Sequence, residues 1–289
     1  MWYYNQLDKK LVWGVKNLMD ELEKIKSMTP EEQQAYLEQL QACEHDCSTC
    51  SAECSSRVNK PAKKVIVITS GKGGTGKSVV SVLLANALRR CGCSVAILDA
   101  DIACPSVPAL LGMKDPVLGD MPELAPVLSS EGIPVVSIGL ISEDPLEPVI
   151  WPGKDMAKLA VWLLKDTKWP EDLDVLLIDM PSGAGDIPLE YYTTMPLDYA
   201  LAVGEPGELC SGALRRAINL CDMLRVPVMG IVENFAEEDV SLPESCKTIP
   251  VAASVPYDST LRRAALSGKL GSYETDRLDY LARMIKEME

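Results

Sequence analysis

Residues 65–68 form a short β-branched run, Val65-Ile66-Val67-Ile68, with no polar interruption. Such a run, apolar on both faces, reads as a buried parallel strand. A glycine-rich stretch follows, and residues 78–90 then read as a helix. The same alternation recurs to the end of the chain. Strands are predicted at 64–69, 94–99, 133–139, 173–179, 198–203 and 226–232, with a seventh near 247–253. Helices are predicted at 77–90, 154–167, 207–224, 259–267 and 275–288. Strands and helices in alternation imply an α/β fold, a mostly parallel sheet flanked by helices on both faces.

The first sixty residues follow a different pattern. Leu11, Val15, Leu18, Leu22 and Ile25 lie at helical spacing within residues 8–27. Thr29-Pro30-Glu31-Glu32 then signals a second helix running to about Ala42. Thr29 can cap it, Pro30 suits its first turn, and Glu32 can close a capping box. Residues 55–64 are polar and basic and contain Pro61, the composition of a linker. The predicted organisation is a helical, cysteine-rich extension with its linker over 1–60 and a main domain over 61–289.

The glycine-rich stretch carries the clearest chemistry. Gly71-Lys72-Gly73-Gly74-Thr75-Gly76-Lys77-Ser78 fits the phosphate-loop pattern G-x-x-x-x-G-K-[ST], and Val79 carries it into the helix. Glycines let the backbone curl so that its N–H groups face phosphate oxygens, and the helix N-terminus adds its positive dipole end. Lys77 would reach the β- and γ-phosphates of ATP, and the Ser78 hydroxyl would hold Mg²⁺. Two more strands end in acids. Asp99 and Asp101 leave the strand at 94–99 and could hold Mg²⁺ or orient an attacking water. Asp179 ends Val175-Leu-Leu-Ile-Asp179 in the manner of a Walker B strand, with Gly183 and Gly185 in the turn beyond it.

Cysteine supplies a second candidate site. Four of the ten cysteines, Cys43, Cys47, Cys50 and Cys54, are spaced C-x3-C-x2-C-x3-C. Thiolates this close can converge on one iron–sulfur or zinc centre, a choice that spacing leaves open. His45, the single histidine, reads as a solvated loop residue. Cys91, Cys93, Cys210 and Cys221 read as packing thiols, and Cys104 as a small buried side chain rather than a ligand or redox thiol.

Charge narrows the partners. A formal net charge of −14 disfavours nucleic acid and anionic lipid. No run of about 18 apolar residues or signal-peptide core is present, so a cytoplasmic setting without membrane attachment is expected. An apolar stripe over Leu278, Leu281, Met284, Ile285 and Met288 reads as a docking helix, because its acidic surroundings oppose lipid attachment.

At these residues the chain resembles the deviant-Walker ATPases, among them MinD, ParA, the nitrogenase iron protein and the Mrp/ApbC-type iron–sulfur carriers. Lys72 meets that group's second, early lysine. The resemblance is closest to the carriers. Residues 98–108 are similar to their D-x-D-I-x-G-P-S-x-P, and 178–186 to their I-D-x-P-P-G-T-G-D. Val232-Glu233-Asn234 matches V-E-N, and 255–262 resemble I-P-x-D-x-x-x-R. The resemblance implies a homodimer with two nucleotides between its subunits and Lys72 crossing to the partner's phosphates. It implies contacts to the nucleotide from Asn234, Pro256 and Asp258. It further implies transfer of an iron–sulfur cluster, of the 4Fe-4S kind, to an apo-acceptor protein. An electron-transfer role with a redox partner, or a positioning ATPase with structural zinc, remains an alternative. One departure is plain. The carriers follow V-E-N with C-x-x-C, whose pairs from two subunits hold a bridging cluster, whereas residues 235–246 here contain only Cys246.

Overall fold

The computed structural model describes residues 60–113, 124–141, 153–236 and 249–288. The predicted helices at 8–27 and 29–42, the extension and linker up to residue 59, and Cys43, Cys47, Cys50, Cys54 and Cys246 lie outside the described residues. Eight strands are described: β1 (Lys64–Ser70), β2 (Val95–Asp99), β3 (Val127–Leu128), β4 (Pro134–Ser137), β5 (Val175–Asp179), β6 (Tyr199–Gly204), β7 (Val228–Ala236) and β8 (Val251–Pro256). The helices are α1 (Lys77–Arg90), α2 (Val107–Leu110), α3 (Gly153–Lys165), α4 (Asp186–Thr194), α5 (Glu208–Met223), α6 (Ser259–Leu266) and α7 (Asp279–Glu287).

The strands form one sheet in the order β3-β4-β2-β5-β1-β6-β7-β8. Every pairing is parallel except β3 with β4. All five residues of both β2 and β5 are buried, which is why these segments read as unbroken apolar runs. Alternate residues of β6 serve different cores: Leu201 and Val203 join the cluster built on α1, and Ala202 joins Leu214 and Ile218 of α5. Because successive side chains leave a strand on opposite sides, helices cover both faces.

Helix α1 is buried at ten of its residues, from Lys77 to Leu88. It lies between the sheet and α7, so neither side of it meets much water. The apolar stripe of α7 docks here through Leu281 and Ile285, with Leu278 just ahead of it, while Met284 stays partly exposed. Burying each such side chain contributes about 1.5–3 kcal/mol. None of the helices among the described residues is long and apolar enough to cross a membrane.

Several boundaries differ from those predicted, for local reasons. The strand at 133–139 stops at Ser137, whose hydroxyl accepts the Gly139 N–H and starts a short 3₁₀ turn. Strand β7 continues through Val232-Glu233-Asn234, and β8 lies at 251–256 rather than 247–253. The C-terminal helix starts at Asp279, because the Thr275 hydroxyl accepts the Arg277 N–H in a turn ahead of it. Helix α4 was not foreseen at all. It follows the glycine-containing turn at 183–185, and Pro188 is its third residue, where a missing N–H breaks no intrahelical bond.

Candidate nucleotide site

The loop between β1 and α1 lies at the centre of the sheet's C-terminal edge, where parallel sheets bind ligands. Its glycines are needed for space as well as curvature. A Cβ on Gly71 would stand 2.0 Å from the Ala213 carbonyl carbon in α5. Gly76 has φ of 76°, and a Cβ there would stand 2.2 Å from Asn234 Nδ2. We expect Gly71→Ala to destabilise the domain by about 1–3 kcal/mol or more, since backbone must move to admit the methyl. Thermal unfolding without nucleotide measures this.

Beneath the loop lies a buried polar triad. Lys77 Nζ donates to Asp179 Oδ1 at 2.8 Å, and the two side chains are 8% and 0% exposed. Ser81, one helical turn beyond Lys77 on α1, donates its hydroxyl to the same Asp179 oxygen at 2.9 Å and to Lys77 O at 3.1 Å. Among the described residues three buried side-chain atoms have no hydrogen-bond partner: Asp179 Oδ2 and Thr75 Oγ1 here, and Glu233 Oε1 on β7. Buried oxygens are otherwise almost always paired. An unpaired carboxylate oxygen and hydroxyl beside a phosphate loop fit a site for a hydrated cation and phosphate, so these residues suit Mg²⁺. Ser78, the second residue of α1, is half-buried on the same turn as Lys77.

Asp99 and Asp179 come together by register. Strands β2 and β5 are neighbours, and Asp99 pairs with Asp179 at their ends. Asp99 is fully buried, and its carboxyl is pushed up to about 7, first by burial and then by the Asp179 charge. Its oxygens are already bonded. Oδ1 accepts the Asp101 N–H, and Oδ2 accepts the Ser106 and Val107 N–H groups and the Ser137 hydroxyl. The structure therefore places Asp99 as the anchor of the 100–107 loop, with protein donors where Mg²⁺ or water was expected. Asp101 is half-buried, and its Oδ1 accepts the Cys104 N–H at 3.1 Å.

The buried reading of Cys104 is corrected: its side chain is exposed. Its amide is tied to Asp101 and the next residue, Pro105, packs toward Gly139, which leaves the thiol facing outward. Cys93 and Cys221 are buried as expected, and burial pushes both thiols above their usual range. Cys91 is half-buried.

On the other side of the loop, Asn234 is buried on β7 and donates from Nδ2 to Thr75 O at 2.8 Å. It buttresses the phosphate loop directly. Phe235 follows it with φ of 56°, and its ring lies 6.5 Å from that of Tyr257. Pro256 ends β8. Asp258 caps α6, accepting the Thr260 N–H and hydroxyl, and its other oxygen accepts the Tyr273 hydroxyl. The Tyr273 bond, then those from Thr260, hold its carboxyl down at about 2. Lys72 lies apart from the buried triad, with its Nζ 3.1 Å from Glu205 Oε2.

Sequence reasoning missed Ser81, Ser137 and Glu205. Ser81 was within reach of it, since a residue four positions after Lys77 shares its helical face.

Residues 61–263 match the ParA family described as the NUBPL iron-transfer P-loop NTPase. The chain belongs to this family. Its relatives include an iron-sulfur cluster carrier protein of Methanocaldococcus jannaschii, 36% identical over 212 residues that cover 67% of this chain and 72% of that one. A protein of the same name from Clostridium perfringens is 33% identical over 260 residues, covering 78% of this chain and 90% of the other. Against the Escherichia coli iron-sulfur cluster carrier protein, identity is 40% over 177 residues, 60% of this chain and 47% of that longer one. Among solved structures, a nucleotide-binding protein from Archaeoglobus fulgidus in complex with ADP aligns with a TM-score of 0.63 at 31% identity. That alignment covers 76% of this chain and 91% of the other. The cell division ATPase MinD of Pyrococcus furiosus shares the fold, with a TM-score of 0.58 at 22% identity over 78% of this chain and 99% of its own. P-loop NTPases of this family bind nucleotide, and the loop of the present chain is built for it.

Proposed function

We propose that this protein binds and hydrolyses ATP as a homodimer and carries an iron–sulfur cluster to an apo-acceptor protein in the cytoplasm. The observation that carries the nucleotide half is the buried Lys77–Asp179–Ser81 triad, with Asp179 Oδ2 and Thr75 Oγ1 left unpaired beside the phosphate loop. Ser78 and Asp179 would hold Mg²⁺, which supplies neutralising charge at the β- and γ-phosphates when bound. Lys77 offsets charge developing on the transferred phosphoryl group, and Lys72 of the opposite subunit adds to it. Asp101 orients the attacking water, a role for which Asp99 is poorly placed because four protein donors already bind it. Asn234 keeps the loop in shape through its bond to Thr75 O; Pro256 and Asp258 shape the neighbouring end of β8 and α6, with Val79 continuing the loop into α1.

Cys43, Cys47, Cys50 and Cys54 hold the cargo in this reading, as a 4Fe-4S cluster on a separate 1–60 extension. The names of the Methanocaldococcus jannaschii and Clostridium perfringens relatives support the carrier role. The absence of C-x-x-C after Asn234 moves the ligand set to the N-terminal cysteines. Protein purified without oxygen is expected to contain iron and sulfide at about 4:4 per cluster, with both lost in Cys47→Ser/Cys50→Ser. Zinc without iron in that preparation would overturn the cluster half of the proposal and leave the ATPase half standing.

A further inference from the structure

Glu205 stands where a phosphate site has least use for an acid. Strand β6 runs beside β1, and the register pairs Ser70 with Val203. Two residues beyond that pair, Lys72 and Glu205 therefore leave neighbouring strand ends side by side. Their side chains meet at 3.1 Å, with Lys72 42% exposed and Glu205 23% exposed. The Ser70 hydroxyl donates to Lys72 O at 3.2 Å, which fixes the lysine's backbone at the start of the loop. A carboxylate beside a phosphate loop opposes the binding of phosphates unless a cation neutralises it. Lys77 cannot do so, because it is buried against Asp179. Lys72 can, and it is the residue that must leave if it crosses to a partner's nucleotide.

We propose that Glu205 is a positioning residue for Lys72. It holds the lysine on its own subunit until a second, nucleotide-loaded subunit presents phosphates that bind the ammonium better. Closure of the dimer then exchanges one ion pair for another, and Glu205 sets the ATP concentration at which closure occurs. A ligand shifts such an equilibrium only by its differential affinity for the two states, and the cis ion pair is part of that difference. The inference rests on the sandwiched-dimer reading given above.

The test uses the full chain with Mg²⁺ and increasing ATP, with dimer fraction followed by light scattering and turnover measured in parallel. In Glu205→Gln, half-maximal dimerisation is expected at an ATP concentration lower by about two- to fivefold, the range set by one partly exposed ion pair. Turnover per closed dimer at saturating ATP stays at the wild-type value, since Lys72 has then left Glu205 in both proteins. The shift shrinks as salt is raised. Glu205→Ala gives the same shift, and matched thermal unfolding of the variants shows that fold is not the cause. An unchanged or raised ATP threshold, with wild type dimerising normally, overturns the inference and spares the dimer. Reduced turnover per dimer also overturns it, by placing Glu205 in the chemistry itself. Wild type that stays monomeric at every ATP concentration removes the dimer reading and this inference with it.

Discussion

Lys77→Ala is expected to abolish ATP binding and to cost about 3–5 kcal/mol of stability even with no nucleotide present. The second effect is the less obvious one. Lys77 and Asp179 are almost wholly buried and 2.8 Å apart. Removing the lysine leaves the Asp179 carboxylate at 0% exposure with only the Ser81 hydroxyl on one oxygen, and its other oxygen already lacks a partner. An uncompensated buried charge is costly because burial strips it of the hydration that offsets it in the unfolded chain. Domains of this size carry about 5–15 kcal/mol in total, so the loss is a large fraction. The double variant Lys77→Met/Asp179→Asn separates the two roles. It removes the stranded charge, keeps an acceptor for Ser81 and fills the volume of the lysine stem. It is expected to recover most of the stability and none of the ATP binding. Chemical denaturation of the three proteins, with equilibrium nucleotide binding, decides the matter. Stability of Lys77→Ala within about 0.5 kcal/mol of wild type would refute the buried pair as the strut beneath the loop.

How much of this could be read from the chain depends on whether the information was local. The helix at 77–90 was predicted at its observed limits, and the strand at 64–69 to within one residue. Both are signalled by short-range apolar patterning, punctuated by glycines. That Asp99 and Asp179 each end a strand was equally legible. That their strands are neighbours, and that the two carboxylates therefore share one low-dielectric pocket, is a fact of register between segments some eighty residues apart, which no local pattern encodes. The same holds for Glu205, whose meaning appears only when β6 is laid beside β1.

Two further points have the same origin. Ser106 lies within the motif at 98–108 and Ser137 within the predicted strand at 133–139, and only the fold turns the Ser106 amide and the Ser137 hydroxyl onto Asp99. Cys104 replaces a glycine of the related motif and was expected to be buried as a small side chain. Its exposure follows from the Asp101 and Pro105 contacts on either side of it, which composition cannot reveal.

Lys72→Ala should leave the fold intact and weaken ATP binding by no more than about fivefold, through the unneutralised Glu205, yet lower hydrolysis by about 10³-fold, the lower end of what a cation supplied by a second subunit contributes to phosphoryl transfer. Stability should change by no more than about 1 kcal/mol, because the lysine is 42% exposed and its pair with Glu205 is partly screened by water. This is the reverse of the Lys77 pattern, although both are lysines of one eight-residue loop. The difference lies in where the backbone sends them. Lys77 begins α1 and points into the protein beneath the loop, toward β5, whereas Lys72 follows the strand end and stays at the surface beside β6. A surface ammonium that contacts a carboxylate of its own subunit is available to a second subunit, and a buried one is not. In mixtures with a Ser78→Ala subunit that cannot hold Mg²⁺, Lys72→Ala provides an intact phosphate site and the partner provides the missing lysine. Hydrolysis should then return in the mixed dimer to about half the wild-type value, since one of its two sites is complete. Equal hydrolysis by wild type and Lys72→Ala would remove the shared site from the argument. Loss of activity in Lys72→Ala that a Ser78→Ala partner cannot restore would place the lysine's action within its own subunit.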